Sequence, residues 1–149
     1  MSSNRKLLTV NIVSQEGSVY NKSAEMVILR SIEGEMGISP GHTQLLCILP
    51  PGAVRVEVKK NKRNTFYISG GILEIQPYRV TVLSDSMERA ENLDQAFAEK
   101  LRERAKASLK QFHGNNFDKV KLEKAQQILA ESEARLKALK ILKNTTKAY

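Results

Sequence analysis

Apolar and polar residues alternate with two different periods along the chain, and the period changes near residue 85. Before that point the repeat is two: Val54, Val56 and Val58 alternate with charged residues in AVRVEVKK. This repeat predicts half-buried strands. Other short segments of this region are LLTVNIV, MVILRSI, LLCILPP, TFYISGGILEIQ and YRVTVLS. Many short strands at close spacing predict a β-sandwich or barrel.

The strand pattern shifts its phase within TFYISGGILEIQ, where Phe66 and Ile68 belong to one phase and Leu73 to the next. The shift falls at Gly70 and Gly71. A glycine pair inside a strand pattern is typical of a bulge or of a close backbone approach. We expect these two structural glycines to let the strand turn a corner.

After Asp85 the apolar residues recur every three or four positions, which predicts helices. The first helix is expected to begin at a cap that Asn92 forms with Gln95, and to end at His113 and Gly114. The apolar stripe of this helix contains Leu93, Phe97, Leu101, Ala105, Leu109 and Phe112.

A second helix is expected to begin near Asn116 or Asp118, with a narrow apolar stripe that Ser132 interrupts. The stripe contains Leu122, Ala125, Leu129, Leu136 and Leu139. Two amphipathic helices joined by a short loop predict an antiparallel αα-hairpin. Because the second stripe is narrow and rich in alanine, we expect the hairpin to be lightly held and able to open. The predicted domains are residues 1–86 and 87–149.

The composition is that of a globular protein, with 41% apolar and 27% charged residues in a chain of 149. The longest apolar run, LLCIL at 45–49, is far shorter than the roughly 20 residues of a membrane-spanning helix. The N-terminal residues lack the sustained apolar stretch of a signal peptide. We therefore expect a protein that stays in the cytosol and does not insert into a membrane directly.

The formal net charge of +8 is unevenly divided. Residues 1–86 have ten basic and seven acidic side chains, and residues 87–149 have fourteen and nine. The basic residues near the C-terminus are Arg135, Lys137, Lys140, Lys143 and Lys147, and no acidic residue lies among them. A cluster of this kind attracts acidic protein surfaces, nucleic acid or anionic lipid.

Residues for catalysis or metal binding are scarce. Cys47 is the only cysteine and His42 and His113 are the only histidines, so no zinc-binding spacing can be assembled. The loop GEMGISPGHTQLL, residues 34–46, lacks the lysine and hydroxyl that follow the last glycine of a P-loop. Glu35 could orient His42 for acid-base chemistry, but a turn or polar contact is the commoner role. We expect no metal, no cofactor and no enzymatic activity, with a small hydrolase as an outside alternative.

A nucleic-acid-binding module is the main alternative, because four basic residues crowd the tip of one predicted hairpin. They are Lys59, Lys60, Lys62 and Arg63. The chain has four Tyr, four Phe and no Trp, and they are not interleaved with the basic residues as a base-stacking platform requires. We therefore expect no nucleic-acid partner.

Three segments occur in a specific order: GEMGISPGHTQLL, then YISGGILEIQPYRVTVLSD, then ERAENLDQAFAEKLRERA. In this combination the chain resembles the epsilon subunit of bacterial F-type ATP synthases from about Leu8 to its last helix. The resemblance implies an N-terminal ten-stranded β-sandwich, a C-terminal helical hairpin and no catalytic site. It also implies a central-stalk role in proton-driven ATP synthesis, with the gamma subunit, the c ring and the alpha and beta subunits as partners. The expected location is peripheral, on the cytoplasmic face of the bacterial inner membrane, and a plastid origin stays open.

The same resemblance assigns the GEMGISPGHTQLL loop to the c ring. Glu35 and His42 stand where the family has residues that face the polar loops of the ring. We expect a tight turn built from Gly37, Pro40 and Gly41 to hold both side chains outward.

The resemblance further implies that the hairpin can extend into the catalytic head and block ATP hydrolysis. The basic residues expected to contact acidic segments there are Arg135, Lys137, Lys140 and Lys143. Some members bind ATP through an L/I-D-x-x-R-A motif, which LDQAFA matches at Leu93, Asp94 and Ala98. Phe97 replaces the arginine of that motif, so we expect no ATP binding of useful affinity.

Overall fold

The computed structural model describes residues 6–17, 19–112 and 118–147. Ten strands are followed by a 3₁₀ turn, Ala90–Asn92, and two helices. The strands are β1 Leu8–Ser14, β2 Val19–Ala24, β3 Met26–Ser31, β4 Gly34–Ile38, β5 Leu45–Leu49, β6 Gly52–Lys59, β7 Lys62–Ile68, β8 Gly71–Gln76, β9 Arg79–Ser84 and β10 Met87–Arg89. The helices are α1 Gln95–Leu109 and α2 Lys119–Lys147.

The strands form two five-stranded sheets. Sheet A has the order β2-β1-β9-β8-β5, and sheet B has the order β10-β7-β6-β3-β4. The one parallel pair among the described strands is β1 with β9. The predicted ten-stranded sandwich followed by a helical hairpin is confirmed.

The main core lies between the two sheets. Each strand turns every second side chain inward, so Val54 and Val56 are fully buried while Arg55 between them is partly exposed. The buried members of this cluster are Leu8, Val10, Ile12, Tyr20, Ala24, Val27, Leu29, Ile38, Leu49, Val54, Val56, Phe66, Ile68, Leu73, Ile75, Val80, Val82 and Met87. None of the helical side chains that the structure describes belongs to it.

The glycine pair lies at the corner where the chain passes from β7 in sheet B to β8 in sheet A. Gly70 has φ of 105° and Gly71 has φ of 150°, in the region that side chains other than glycine rarely adopt. A Cβ at Gly71 would lie 1.9 Å from the carbonyl oxygen of Leu83. The expected corner is confirmed, and the close approach to Leu83 requires a residue without a side chain.

The sandwich extends past the expected boundary at residue 86. Strand β10 pairs antiparallel with β7, with Met87 opposite Ile68 and Arg89 opposite Phe66. Met87 also belongs to the buried core between the sheets. Residues 87–89 are therefore part of the sandwich rather than the start of the helical segment.

Helix α1 begins two residues later than expected. The N-cap is Asp94, whose carboxylate accepts a hydrogen bond of 3.1 Å from the backbone N–H of Phe97. The predicted cap at Asn92 is wrong, because Asn92 ends the 3₁₀ turn and Gln95 bonds Glu99 instead. The expected stop at 113–114 lies outside the described residues.

The inward face of α1 also differs from the predicted stripe. Phe97 is 55% exposed, so its assignment to the apolar stripe is wrong. Ala98 and Ala105 are the buried residues of α1. The most deeply buried positions of this helix thus hold small side chains, and the one aromatic ring of its first turn faces solvent.

Helix α2 begins after Asp118, whose carboxylate accepts hydrogen bonds from the N–H groups of Val120 and Lys121. Asp118 is therefore the N-cap of α2, which confirms one of the two predicted starts. Ser132 is fully buried, and its hydroxyl donates to the carbonyl of Leu129 at 2.9 Å. Ser132 continues the buried stripe, and the prediction that it interrupts the stripe is wrong.

Helix α2 lies between α1 and sheet B. Ala134 and Ala138 face the sheet, where they pack with Tyr67 of β7 and Ala90. The buried residues on the opposite side of α2 recur every seventh position, and they are Ala125, Ser132 and Leu139. The two helices run antiparallel, because Lys143 near the end of α2 bonds the side chain of Gln95 at the start of α1.

Candidate functional site

The turn at residues 39–44 connects β4 of sheet B with β5 of sheet A. Two backbone hydrogen bonds hold this turn. The N–H of Gly41 donates to the carbonyl of Pro77 at 2.6 Å, and the N–H of His42 donates to the carbonyl of Ser39 at 3.2 Å. Gly41 has φ of 88°, which favours glycine there. The Nδ1 of His42 lies 2.7 Å from the carbonyl oxygen of Thr43. His42 is half-buried, and this hydrogen bond fixes the orientation of its ring at the surface of the turn.

Glu35 and Gly37 lie in strand β4 rather than in this turn. Gly37 does not have a positive φ and is an ordinary residue of β4, so its predicted part in a tight turn is wrong. Pro40 and Gly41 do form the turn. Since Glu35 is three residues before the end of β4, about 10 Å of strand separates it from the turn that holds His42. The two side chains share the β4–β5 edge of the sandwich, not one loop.

Glu35 forms an ion pair with Arg55 of β6, which lies on the far side of β3 in sheet B. The Nη2 of Arg55 lies 3.4 Å from the Oε1 of Glu35, and the Glu35 side chain is 67% exposed. Exposed pairs of this kind contribute at most about 1 kcal/mol. The carboxylate of Glu35 can therefore exchange Arg55 for another partner at low cost.

The four basic residues assigned to inhibition are in different situations. The guanidinium of Arg135 stacks over the Tyr67 ring at 4.7 Å from its centroid. Lys143 donates to the side-chain oxygen of Gln95. Lys137 lines the cleft between α2 and sheet B, and Lys140 is exposed. Two of the four thus have partners within the chain.

Tyr67 is the centre of the contact between α2 and sheet B. Its side chain is fully buried, and its hydroxyl has no hydrogen-bond partner among the described residues. Burial raises the pKa of Tyr67 from its ordinary value of 10 to about 12, with Arg135 opposing and the acidic side chains of Glu131, Glu88 and Glu16 adding to the shift. The hydroxyl therefore stays neutral at physiological pH.

Asp94 was singled out for nucleotide binding, and its carboxylate caps α1 in the structure. Phe97, at the position of the motif arginine, is exposed and carries no charge. The position of the Asp94 carboxylate is thus explained by its role as the N-cap of α1.

No group of three or more His, Cys, Asp or Glu side chains that could hold a metal occurs in the described part of the chain. Cys47 is a free, half-buried thiol that packs against the core. Burial, and then the charge of Glu33, raise the pKa of Cys47. The thiol is therefore kept in its unreactive form.

None of the helices formed by residues 6–17, 19–112 and 118–147 is long and apolar enough to span a membrane.

Sequence reasoning missed Tyr67 and its contact with Arg135. The strand FYI turns Phe66 and Ile68 inward, so the same alternation turns Tyr67 outward. A buried aromatic ring on the outer face of a sheet requires a cover, and α2 supplies it. The signal was therefore present in the sequence as an apolar residue in the polar phase of a strand.

The comparison with protein families matches residues 7–90 to the model described as ATP synthase, Delta/Epsilon chain, beta-sandwich domain. The chain is also 51% identical over 135 residues to the ATP synthase epsilon chain of Francisella tularensis subsp. tularensis, covering 91% of this chain and 90% of that one. The chain belongs to the ATP synthase epsilon chain family. The epsilon chain of Francisella philomiragia is similar at 50% identity over the same share of both chains. Epsilon chains are non-catalytic subunits of the F-type ATP synthase central stalk, and the expected family and non-enzymatic class are confirmed.

Solved structures agree with the epsilon fold. A chain of the Euglena gracilis mitochondrial ATP synthase, OSCP/F1/c-ring, superposes with a TM-score of 0.77 at 22% identity, over 93% of this chain and 86% of that one. A chain of the Tetrahymena thermophila mitochondrial ATP synthase central stalk and c ring gives 0.58 at 16%, over 92% and 99%. At these identities the likeness concerns the fold alone.

Proposed function

We propose that this chain couples rotation of the c ring to the catalytic head and inhibits ATP hydrolysis through its C-terminal helices. Its proposed partners are the gamma subunit, the c ring and the alpha and beta subunits. Its proposed location is peripheral, on the cytoplasmic face of the bacterial inner membrane. The observation that carries the proposal is the 51% identity to an epsilon chain over 91% of the chain.

The proposed contact with the c ring is the β4–β5 edge, with Glu35, His42, Pro40 and Gly41. The exposed carboxylate of Glu35 and the fixed turn at Gly41 support this assignment, because a rigid backbone presents polar groups at little entropic cost. The experiment replaces Glu35 and His42 together by alanine and measures association with the membrane sector. We expect association to weaken at least tenfold, whereas the control Glu74→Ala on the outer face of sheet A keeps it. Unchanged association of the double variant would contradict the assignment.

The proposed inhibitory element is the hairpin with its basic end. A truncation that tests this role should end after Asn92, because a cut at residue 86 would remove β10 from the sandwich. We expect the shortened chain to support coupling and to lose inhibition of ATP hydrolysis. Full inhibition by it would exclude the hairpin as the inhibitor.

Lys140 offers the cleanest test of the charges in the hairpin, because it is exposed and Arg135 and Lys143 already have partners within the chain. Lys140→Glu should weaken inhibition, since the substituted side chain would face acidic segments of the head. Lys121→Glu makes the same change of charge at the exposed other end of α2 and should leave inhibition intact. Equal inhibition by both variants would argue against a role for Lys140.

Arg135 has two proposed roles, which it cannot perform at the same time. While its guanidinium lies over Tyr67 it holds the hairpin to the sandwich, and it can contact the head only after release. Arg135→Ala should therefore favour release and at the same time weaken the inhibitory contact.

We also propose that the chain lacks a working ATP site at Asp94, and saturable ATP binding at micromolar concentration would contradict this.

A further inference from the structure

The turns between the strands lie at two opposite ends of the sandwich. One end holds the β2–β3, β4–β5, β6–β7 and β8–β9 turns, and backbone hydrogen bonds tie these turns together. The N–H of Gly41 donates to the carbonyl of Pro77, and the N–H of Glu25 donates to the carbonyl of Glu57 at 2.8 Å. The turn proposed to face the c ring therefore shares its end of the sandwich with the tip of the β6–β7 hairpin.

This end is basic. In its described turns and in the strand residues that adjoin them, the charged side chains are Lys59, Lys60, Lys62, Arg79 and Glu25. Lys6, which precedes β1, adds a further cation. We call Lys6, Lys59, Lys60, Lys62 and Arg79 the lysine end.

The opposite end of the sandwich has the opposite sign. In its described turns and adjoining strand residues the charged side chains are Glu16, Glu33 and Asp85, and no basic residue lies among them. The strands thus separate positive from negative charge along their length. Such a separation orients the sandwich in an electric field or beside a charged surface.

The β6–β7 tip contributes most of the positive charge. Lys59, Lys60 and Lys62 are all exposed. Arg63, the next residue, has its Nε 3.3 Å from the Oε1 of Glu57. Because that arginine and that carboxylate offset each other, the net charge of the tip comes from the three lysines.

The β8–β9 turn adds an aromatic ring to the same end. Tyr78 is 47% exposed. The Nζ of Lys6 lies 5.4 Å from its ring centroid and donates to its hydroxyl at 3.2 Å. Tyrosine has an apolar ring and a polar tip, so it is enriched where a membrane meets water. The lysine end therefore combines cations with a side chain suited to the headgroup level of a bilayer.

We propose that the lysine end rests on the anionic headgroups of the bilayer around the c ring; this inference rests on the proposed function. The cytoplasmic leaflet has a negative surface potential, which attracts basic segments close to it. The attraction falls off within a Debye length of about 8 Å at physiological ionic strength, so it acts on the near end of the sandwich. The acidic end then points away from the membrane.

The spread of the cations favours a lipid surface over the loops of the ring. In sheet B, β6 is two strands from β4, and in sheet A, β9 is two strands from β5. The cations of these strands therefore lie about 10 Å or more from the β4–β5 turn. Four of the five are lysines, which are depleted at protein interfaces. Flexible, strongly hydrated ammonium groups spread over a plane suit mobile headgroups better than fixed carboxylates.

The experiment measures binding of the full-length chain to vesicles made of equal parts of phosphatidylcholine and phosphatidylglycerol, and to vesicles of phosphatidylcholine alone. The tip variant combines Lys59→Gln, Lys60→Gln and Lys62→Gln. The matched control removes the same charge from exposed positions of α1, by Lys100→Gln, Lys106→Gln and Lys110→Gln. A second tip variant replaces the same three tip lysines by arginine and so keeps the charge.

We expect the wild-type chain to bind the mixed vesicles and not the neutral ones. The glutamine tip variant should bind the mixed vesicles at least about tenfold more weakly, and the α1 control less than about threefold more weakly. The arginine tip variant should bind as the wild type does. No binding of the wild type to mixed vesicles, or equal weakening by the two glutamine variants, overturns the proposal.

Synthase reconstituted in phosphatidylcholine alone separates a lipid contact from a ring contact. There the glutamine tip variant should associate with the membrane sector as the wild type does, because these headgroups carry no net charge. Weaker association in this neutral lipid would assign the tip to the c ring and overturn the proposal. A wild-type chain that binds mixed vesicles but does not associate with the membrane sector would contradict the proposed function and still support the lipid contact.

Discussion

The interior between the two sheets and the contact between sheet B and α2 are built from side chains of different size. Between the sheets the buried residues include Phe66, Leu73 and many other branched or aromatic side chains. Under α2 they are Ala90, Ala134 and Ala138 around one tyrosine. Fully burying a leucine or isoleucine stabilises a fold by about 1.5–3 kcal/mol, and burying a single methyl group by about 0.8 kcal/mol. The first contact is therefore strong and the second weak.

This difference matches the two proposed tasks. A sandwich that transmits torque must keep one shape, whereas a hairpin that inhibits on demand must leave its docking site and return. The cleft between α2 and sheet B, about 710 Å³ and lined by Arg55, Glu133 and Lys137, shows that the helix does not seal against the strands. The contact that remains is centred on Tyr67. Each prediction below changes one of these two contacts and should leave the other intact.

The largest effect is expected inside the sandwich. Leu73→Ala removes a fully buried side chain of β8 and should lower the free energy of unfolding by about 2–5 kcal/mol. Denaturant unfolding measures this change. Ile72→Ala alters the next residue on the same strand, which faces outward and is 48% exposed, and should cost less than about 1 kcal/mol. Equal losses would mean that the two faces of sheet A are not distinct in the way described.

A charge under α2 should release the hairpin without unfolding the sandwich. Ala138 is fully buried against the tyrosine, so Ala138→Glu should disfavour docking by about 3 kcal/mol. Spin labels on cysteines introduced at the exposed positions Ser23 and Lys140, with Cys47 replaced by alanine, would report the change as a longer distance. Asn144→Glu puts the same charge on an exposed position of α2 and should leave the distance unchanged. An unaltered distance in Ala138→Glu would show that docking does not depend on this contact.

The sequence was sufficient for the sandwich because its residues obey local rules. Strand alternation at Val54 and Val56 and the glycine pair at the corner each have one physical reading, and both are confirmed. The helical half was harder, since Asn92 with Gln95 fits a cap in the sequence whereas Asp94 forms the cap in the structure. The hydrogen bond from the N–H of Phe97 to the carboxylate of Asp94 identifies it. Small polar residues such as Ser132 can also be buried when they bond the preceding turn.

The candidate surfaces depended on partners that are distant in sequence. The pairing of Arg55 with Glu35, and the stacking of Arg135 over Tyr67, join residues that no local pattern connects. The neighbours of a side chain on the outer face of sheet A likewise follow only from the registers of five strands, which include the parallel pairing of β1 with β9. The family resemblance named the roles, but the assignment of residues to faces needed coordinates.

The next largest effect is expected at alkaline pH, which should weaken docking of the hairpin on sheet B. The pKa of Tyr67 is about 12 when buried and 10 when exposed, so docking keeps its full strength below pH 10 and loses it as the pH rises towards 12. The change amounts to at most about 3 kcal/mol, since about two pKa units of 1.36 kcal/mol each separate the two values. The spin-label distance measured from pH 8 to 12 tests this expectation. Because lysines also titrate there, the effect assigned to Tyr67 is the part that Tyr67→Phe removes.

The smallest effect expected has the opposite sign. At neutral pH, Tyr67→Phe keeps the ring beneath Arg135 and removes a buried hydroxyl without a described partner, so docking should become stronger by about 1 kcal/mol. If the hairpin inhibits only after release, the same variant should also inhibit ATP hydrolysis less than the wild type does. Tyr67→Leu is the matched control: it removes the hydroxyl together with the aromatic face, and should weaken docking because Arg135 loses its ring. Weaker docking in both variants would mean that the hydroxyl stabilises the docked state, and the contact under α2 would then be built for permanence like the interior of the sandwich.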